Sequence, residues 1–215
     1  MPIKLNSASG GSVTLDVPAT ASTYTHTFPA ETGTVLTTAS TLNINASSIS
    51  TGTLPRSRLP SGSIIQVVNT MKTDTFSSGT SETWIDLTGM SATITPFSSS
   101  SLIFVQIYVG RHYGTNTVVW RVLRNGGLYN AGAANGSRSQ VHGAESNQGR
   151  DANHTGEFVI GYIDNPATTS AVTYQLQFRQ EGTNFTFNRN GNYADNARSY
   201  DSVSSSSVIL MEIAQ

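Results

Sequence analysis

The chain has 215 residues and no cysteine, its formal net charge at pH 7 is −1, and only 12% of its residues are charged. Soluble domains carry about 25% charged residues; here Ser, Thr, Asn and Gly fill the gap, and they favour extended backbone and turns over solvated helix surfaces. The balance excludes disulfides and cysteine-based metal sites. It offers no basic stripe to nucleic acid, and no run of about 20 apolar residues is present to insert into a membrane.

Residues 1–62 are poor in large apolar side chains. Short extended pieces are expected at 12–17 (SVTLDV), 23–28 (TYTHTF) and 33–38 (GTVLTT), with Pro18, Pro29 and Gly33 as breaks. Val13, Leu15 and Val17 alternate with Ser12, Thr14 and Asp16, the pattern of a half-buried strand. So few apolar residues cannot close a core within one chain. This β arm is therefore expected to borrow a surface from neighbouring copies, with Val13, Leu15 and Val17 as contact candidates. The opening MPIKLNSASGG has no apolar run of signal-peptide type. Synthesis in the cytoplasm is expected; if the chain ends up outside the cell, a particle carries it there or lysis releases it. Residues 1–38 are read as an attachment and assembly module. Residues 39–61, Ser/Thr-rich with Pro55 and Pro60, are read as an extended connector.

From Gly62 the texture becomes that of strands. They are expected at 63–72 (SIIQVVNTMK), at 84–87 and 92–95 with a break at Gly89, and at 101–111 (SLIFVQIYVGR). Residues 117–124 follow, closed by an Asn125-Gly126 hairpin turn. Residues 157–164, 171–179, 183–188 and 207–214 continue the series, with 137–144 as a further candidate. In 101–111, Ile103, Val105, Ile107 and Val109 share one face; Leu102, Phe104 and Tyr108 share the other. A strand apolar on both faces is covered on both sides. Another subunit can be the second cover, which makes Leu102, Phe104 and Tyr108 subunit-interface candidates. The apolar last strand is expected inside its sheet. The fold class is all-β: residues 62–215 form an antiparallel, jelly-roll-like β-sandwich behind an extended N-terminal arm.

No catalytic or metal constellation assembles. His26, His112, His142 and His154 match no zinc spacing. Glu145, Asp151, Glu157, Asp164, Glu181, Asp195 and Asp201 are candidate carboxylates for glycoside cleavage, but nothing selects a pair. No G-x-S-x-G elbow occurs, and Gly126-Gly127 lies at a hairpin and not between a strand and a helix. The expectation is a protein that binds and does not catalyse, with no cofactor. The informative regions are three polar segments on the β scaffold: 110–116, 129–156 and 188–200. Their Arg111, His112, Tyr113, Arg138, His142, Arg150, His154, Arg189, Tyr193, Arg198 and Tyr200 are candidates for receptor contact. Tyr, Arg and Asn offer flat faces with polar edges, which suit sugars and protein surfaces equally.

The sequences GGSVTLD (10–16), PATAS (18–22) and PAETGTVLTT (29–38) resemble short modules that recur in structural proteins of tailed phages, cyanophages among them. Residues 62–68 and 89–109 (GMSATITPFSSSSLIFVQIYV) look like the opening of C-terminal domains of such proteins. The likeness spans roughly half of the chain, and nothing after Tyr113 matches. It implies a homotrimeric tail-fibre or spike subunit on the virion. Residues 1–62 would join other virion proteins, and the C-terminal sandwich would touch host-surface polysaccharide or protein. A capsid decoration protein is the alternative, and a polysaccharide depolymerase the third.

Overall fold

The computed structural model describes residues 3–6, 8–10, 12–15, 54–146, 156–189 and 201–215, in two compact units, Met1–Gly52 and Thr53–Gln215. In the first, β1 (Ile3–Asn6) and β2 (Ser12–Leu15) form an antiparallel hairpin with Ile3 opposite Leu15. Gly10 in its turn has φ +88°, a region open to glycine. The strands expected at 23–28 and 33–38, together with Val17, lie outside the described residues, as does most of the connector.

The second unit is all-β. Its strands are β3 (Ile64–Lys72), β4 (Phe76–Ser78), β5 (Ile85–Ile94), β6 (Leu102–Gly114), β7 (Thr117–Arg124) and β8 (Gly127–Leu128), followed by β9 (Gly143–Ser146), β10 (Gly156–Asp164), β11 (Val172–Gln180), β12 (Phe185–Phe187) and β13 (Ser206–Ile213). All pairings are antiparallel. One sheet runs β3-β13-β6-β12-β4, with β10 also on β6; the other runs β5-β11-β7-β8, with β9 also on β7. The C-terminal strand β13 lies between β3 and β6, as its apolar composition predicts. Among the described residues no helix is long and apolar enough to cross a membrane.

Alternation builds the core. Ile103, Val105, Ile107 and Val109 of β6, with Val208 and Leu210 of β13, point inward and are fully buried. They meet Val118, Trp120 and Val122 of β7 and Val172, Tyr174, Leu176 and Phe178 of β11 in one cluster. Phe178 stacks on Phe185 at 4.0 Å, and His112 sits edge-on to Trp120 at 4.9 Å.

Several boundaries differ from the sequence reading. Gly89 does not end a strand. It takes φ +83° inside β5, where the register against β11 slips between Gln175 and Gln177. The Gln175 amide donates to the Leu87 carbonyl at 3.1 Å, so the bulge keeps a hydrogen-bond partner. Residues 110–114 belong to β6, not to a loop. Gly110 allows this: a side chain there would meet the Ser205 carbonyl, and the Gly110 N–H donates to Ser206 Oγ at 2.8 Å. The candidate strand at 137–144 is displaced to Gly143–Ser146. Arg56–Arg58 form a 3-10 turn within an otherwise extended stretch, and the Arg56 guanidinium lies 3.6 Å over the Phe97 ring. Residues 54–61 thus belong with the sandwich, which begins earlier than Gly62. The Asn125-Gly126 turn has positive φ at both positions (49° and 81°), as expected.

Asn188 ties three segments together. It is fully buried with φ +59°. Its amide donates to the carbonyls of Lys72 (2.9 Å) and Asp74 (3.0 Å), and its oxygen accepts from Ser206 Oγ at 2.6 Å. Asparagine suits such a place because it tolerates the left-handed region and carries both donor and acceptor.

Candidate interaction surface

The outer face of the β10-β6-β13-β3 sheet is apolar. Cross-strand register sets its rows. Ile163 stands opposite Phe104, Phe104 opposite Met211, and Met211 opposite Val67. To one side, Leu102 faces Ile213 and Ile213 faces Ile64. To the other, after a row holding Gly161, Gln106, Ile209 and Asn69, come Val159, Tyr108, Ser207 and Met71. Ile64, Val67, Met71, Val159 and Ile163 are between 54% and 60% exposed. Leu102, Phe104, Tyr108, Ile209, Met211 and Ile213 are half-buried between them. Five side chains of that exposure leave on the order of 500 Å² of apolar surface open, the size at which a patch on a monomer marks an interaction site. Glu157 closes one corner: burial, with Glu157 close by, pushes the Tyr108 phenol up.

The opposite sheet presents a different chemistry. Across β5, β11 and β7, Asp86 stands opposite Gln177 and Gln177 opposite Arg121. Arg121 Nε donates to Gln177 Oε1 at 2.7 Å, the Gln177 amide donates to Asp86 at 2.6 Å, and the guanidinium lies 3.9 Å over Trp84. This face is a satisfied polar ladder, whereas among the described residues the β10-β6-β13-β3 face keeps five large apolar side chains more than half exposed. The sandwich is two-faced.

Leu102, Phe104 and Tyr108 fall on this apolar face, where each is half-buried among the described residues. Val13 and Leu15 are in β2. The alternation that singled out Leu102, Phe104 and Tyr108 also runs through SIIQVVNTMK and SVILMEIA, both apolar on two faces. Ile64, Val67, Met71, Ile209, Met211 and Ile213 could have been found by that test. Val159 and Ile163 could not, because Gly161 and Glu157 dilute their face in the sequence.

The loop candidates fare differently. His112 is completely buried and Tyr113 only 9% exposed, which removes both from any outward surface. The physical reason is the continuation of β6, which turns a presumed loop into core. His112 Nε2 lies 2.8 Å from Glu145 Oε2, so Glu145 of β9 is engaged inside the sandwich. Arg111 is held by its backbone N–H on Ser204 Oγ (2.8 Å) and by its guanidinium on Ser202 Oγ. Arg189 donates to Ser77 Oγ at 3.2 Å and pairs through its backbone with Val203. Arg138 is exposed, 3.3 Å from Asn135 Oδ1. His142 is half-buried and held neutral, burial pushing its pKa below the usual histidine value against a smaller opposing pull from the Tyr129 carbonyl. Arg150, His154, Tyr193, Arg198 and Tyr200 lie outside the described residues, with the carboxylates Asp151 and Asp195.

A buried polar cluster holds one end of the sandwich. Asp164 is fully buried and accepts from Arg124 Nη1 (2.8 and 3.1 Å) and from Tyr174 Oη (2.5 Å). Arg124 also lies 3.7 Å over Tyr129. Burial and the bond to Asp164 push the Tyr174 phenol far up, so it stays a donor. Asp164 and Glu145, two of the seven candidate carboxylates, are thus committed to internal partners. Among the described residues no three of His, Asp and Glu converge as metal ligands do.

A scan against protein-family models finds no match to this chain, and a search of curated proteins finds no similar one.

Proposed function

We propose that this chain is a structural subunit of a phage virion, of tail-fibre or spike type, assembled from three copies through the outer face of β10, β6, β13 and β3. The observation that carries the reading is that face. Among the described residues a chain with few charges leaves Ile64, Val67, Met71, Val159 and Ile163 more than half exposed, and further copies of the same chain, their faces turned towards a common threefold axis, are a simple cover. The strand orders β3-β13-β6-β10 and β5-β11-β7-β9 are those of an eight-stranded jelly roll, an architecture common in capsid proteins and lectins. The phage assignment draws on the resemblance of residues 10–38 and 62–109 to virion modules. Function is then multivalent attachment: the N-terminal unit joins the particle, and the polar loops and polar sheet face the host surface, where weak contacts repeated threefold give avidity.

Sedimentation equilibrium of the purified chain tests the assembly, with a trimer mass expected. Cryo-electron microscopy of the particle tests the location. Density for the chain at the tail supports the fibre reading; density over the head replaces it with capsid decoration.

A further inference from the structure

A cleft of about 520 Å³ opens at the end of the sandwich where β3 and β6 begin and β13 stops, lined by Arg56, Ser57, Leu59, Ile65, Phe97 and Ala214 among others. Its walls are held by hydrogen bonds. Leu59 N–H donates to the Arg56 carbonyl at 3.0 Å, and Gly62 N–H to the Ala214 carbonyl at 2.8 Å. Phe97 N–H donates to Glu212 Oε1 at 2.7 Å; that carboxylate is fully buried and does not line the cleft. The cleft is therefore built, and its volume falls in the range of ligand sites, about 300–1,000 Å³.

The open polar group is Arg56. Among the described residues three arginines lie over aromatic rings. Arg124, over Tyr129, is paired with Asp164 at 2.8 Å, and Arg121, over Trp84, donates to Gln177 at 2.7 Å. Arg56, 3.6 Å over the Phe97 ring, has no such acceptor among them. It is exposed, and Phe97 is itself 49% exposed. At that distance the planar guanidinium lies nearly flat on the ring. Its N–H donors then point outward along the ring plane, in the fork that matches a carboxylate. Of the side chains lining the cleft only that of Arg56 is charged, so an anion is the complement. Leu59, Ile65 and Ala214 make part of the lining apolar, and an anion that fills the cleft must carry an apolar group to meet them.

We propose that this cleft takes a peptide segment presenting a carboxylate beside an apolar side chain, the carboxylate on the Arg56 guanidinium and the apolar group against Leu59 and Ile65. Aliphatic walls favour such a segment over an acidic sugar, whose apolar face calls for an open aromatic ring; the Phe97 face turned to Arg56 is taken. The inference goes beyond the assembly proposed above and shares no lining residue with the exposed side chains of the β10-β6-β13-β3 face.

The test uses the full chain, titrated by saturation-transfer NMR and calorimetry with four probes. N-acetylleucine carries the carboxylate and the apolar group, N-acetylleucinamide the apolar group alone, acetate the charge alone, and glucuronic acid the charge on a sugar. N-acetylleucine is expected to bind, and the other three to bind about tenfold more weakly or less. Arg56→Gln removes the charge from an exposed turn, so melting and sedimentation are expected to stay those of the wild type. Its affinity for N-acetylleucine is expected to fall to that of N-acetylleucinamide. The ligand series reads the same contact on the wild-type chain, without any substitution. No binding of N-acetylleucine, equal binding of its amide or of acetate, or full affinity in Arg56→Gln overturns the site. Glucuronic acid binding as tightly as N-acetylleucine overturns the peptide assignment and makes the cleft one for acidic sugars.

Discussion

Replacing Val67 and Ile163 together by lysine probes the apolar sheet face where it is widest. The two residues end one row at opposite edges of the four strands, with Phe104 and Met211 between them. Both are more than half exposed in the single chain, 57% and 55%. Each replacement is therefore expected to change the folding of one copy by no more than about 0.5 kcal/mol. In an assembly the effect is much larger. Each side chain contributes roughly 100 Å² of apolar area, so the pair gives up about 5 kcal/mol of burial per copy at ~25 cal/mol/Å². Two ammonium groups must also leave water, at several kcal/mol each where they stay covered. Together these exceed what a standard-sized interface retains after the entropy of association. The expected result by sedimentation equilibrium is a trimer for the wild-type chain and a folded monomer for Val67→Lys/Ile163→Lys, with matching circular dichroism. A double variant that remains trimeric at micromolar concentration, or a wild-type chain that is monomeric at that concentration, refutes the reasoning.

Tyr174→Phe keeps the ring in the core but removes the donor to buried Asp164, a bond to a charged group, and is expected to cost about 1.5–3 kcal/mol in urea unfolding. Asn188→Ala leaves two carbonyls and the Ser206 hydroxyl short of a partner and places alanine at φ +59°; a loss of about 3 kcal/mol or more is expected by the same measurement. His142 has a folded pKa below its ordinary 6.5, so the unfolded chain takes up its proton first. The stability this supplies is present above that value and is lost as pH falls through it towards the folded value. Urea midpoints recorded from about pH 8 to about pH 5 should fall less steeply in His142→Gln than in wild type. Deleting residues 1–52 removes one compact unit and leaves the other intact; the shortened chain is expected to stay a folded trimer in sedimentation and to be missing from particles assembled with it.

Local pattern carried far along this chain. Period-2 alternation located β3, β6, β7, β10, β11 and β13 within a few residues, because a strand buried on one face must show its side chains alternately. Asn125-Gly126 announced the β7–β8 turn, because few other residue pairs accept positive φ twice. Short β12 falls inside the strand expected at 183–188, but β4 and β8 went unread: three residues or fewer contain no period, and β4 is held by the Phe76 ring, which meets Phe178 and Phe185 across the core. Gly89 looked like a break because glycine marks bulges and strand ends alike, and only the side chain of Gln175, distant in sequence, makes it a bulge.

By itself, then, the sequence determined the all-β class, the inner face of each long strand and the apolar character of the second face of β6. Tertiary structure alone decided three things. Register across four strands gathered residues from 64 to 213 into one exposed apolar surface, and no local window records which strands are neighbours. Pairing of Phe187 and Gly156 with His112 carried β6 past Arg111 and buried a residue that reads as part of a loop. The ion pair of Asp164 with Arg124, beneath Tyr174, turned a candidate reactive carboxylate into a structural one. In each case the deciding contact is long-range, and its energy depends on partners that alternation cannot name.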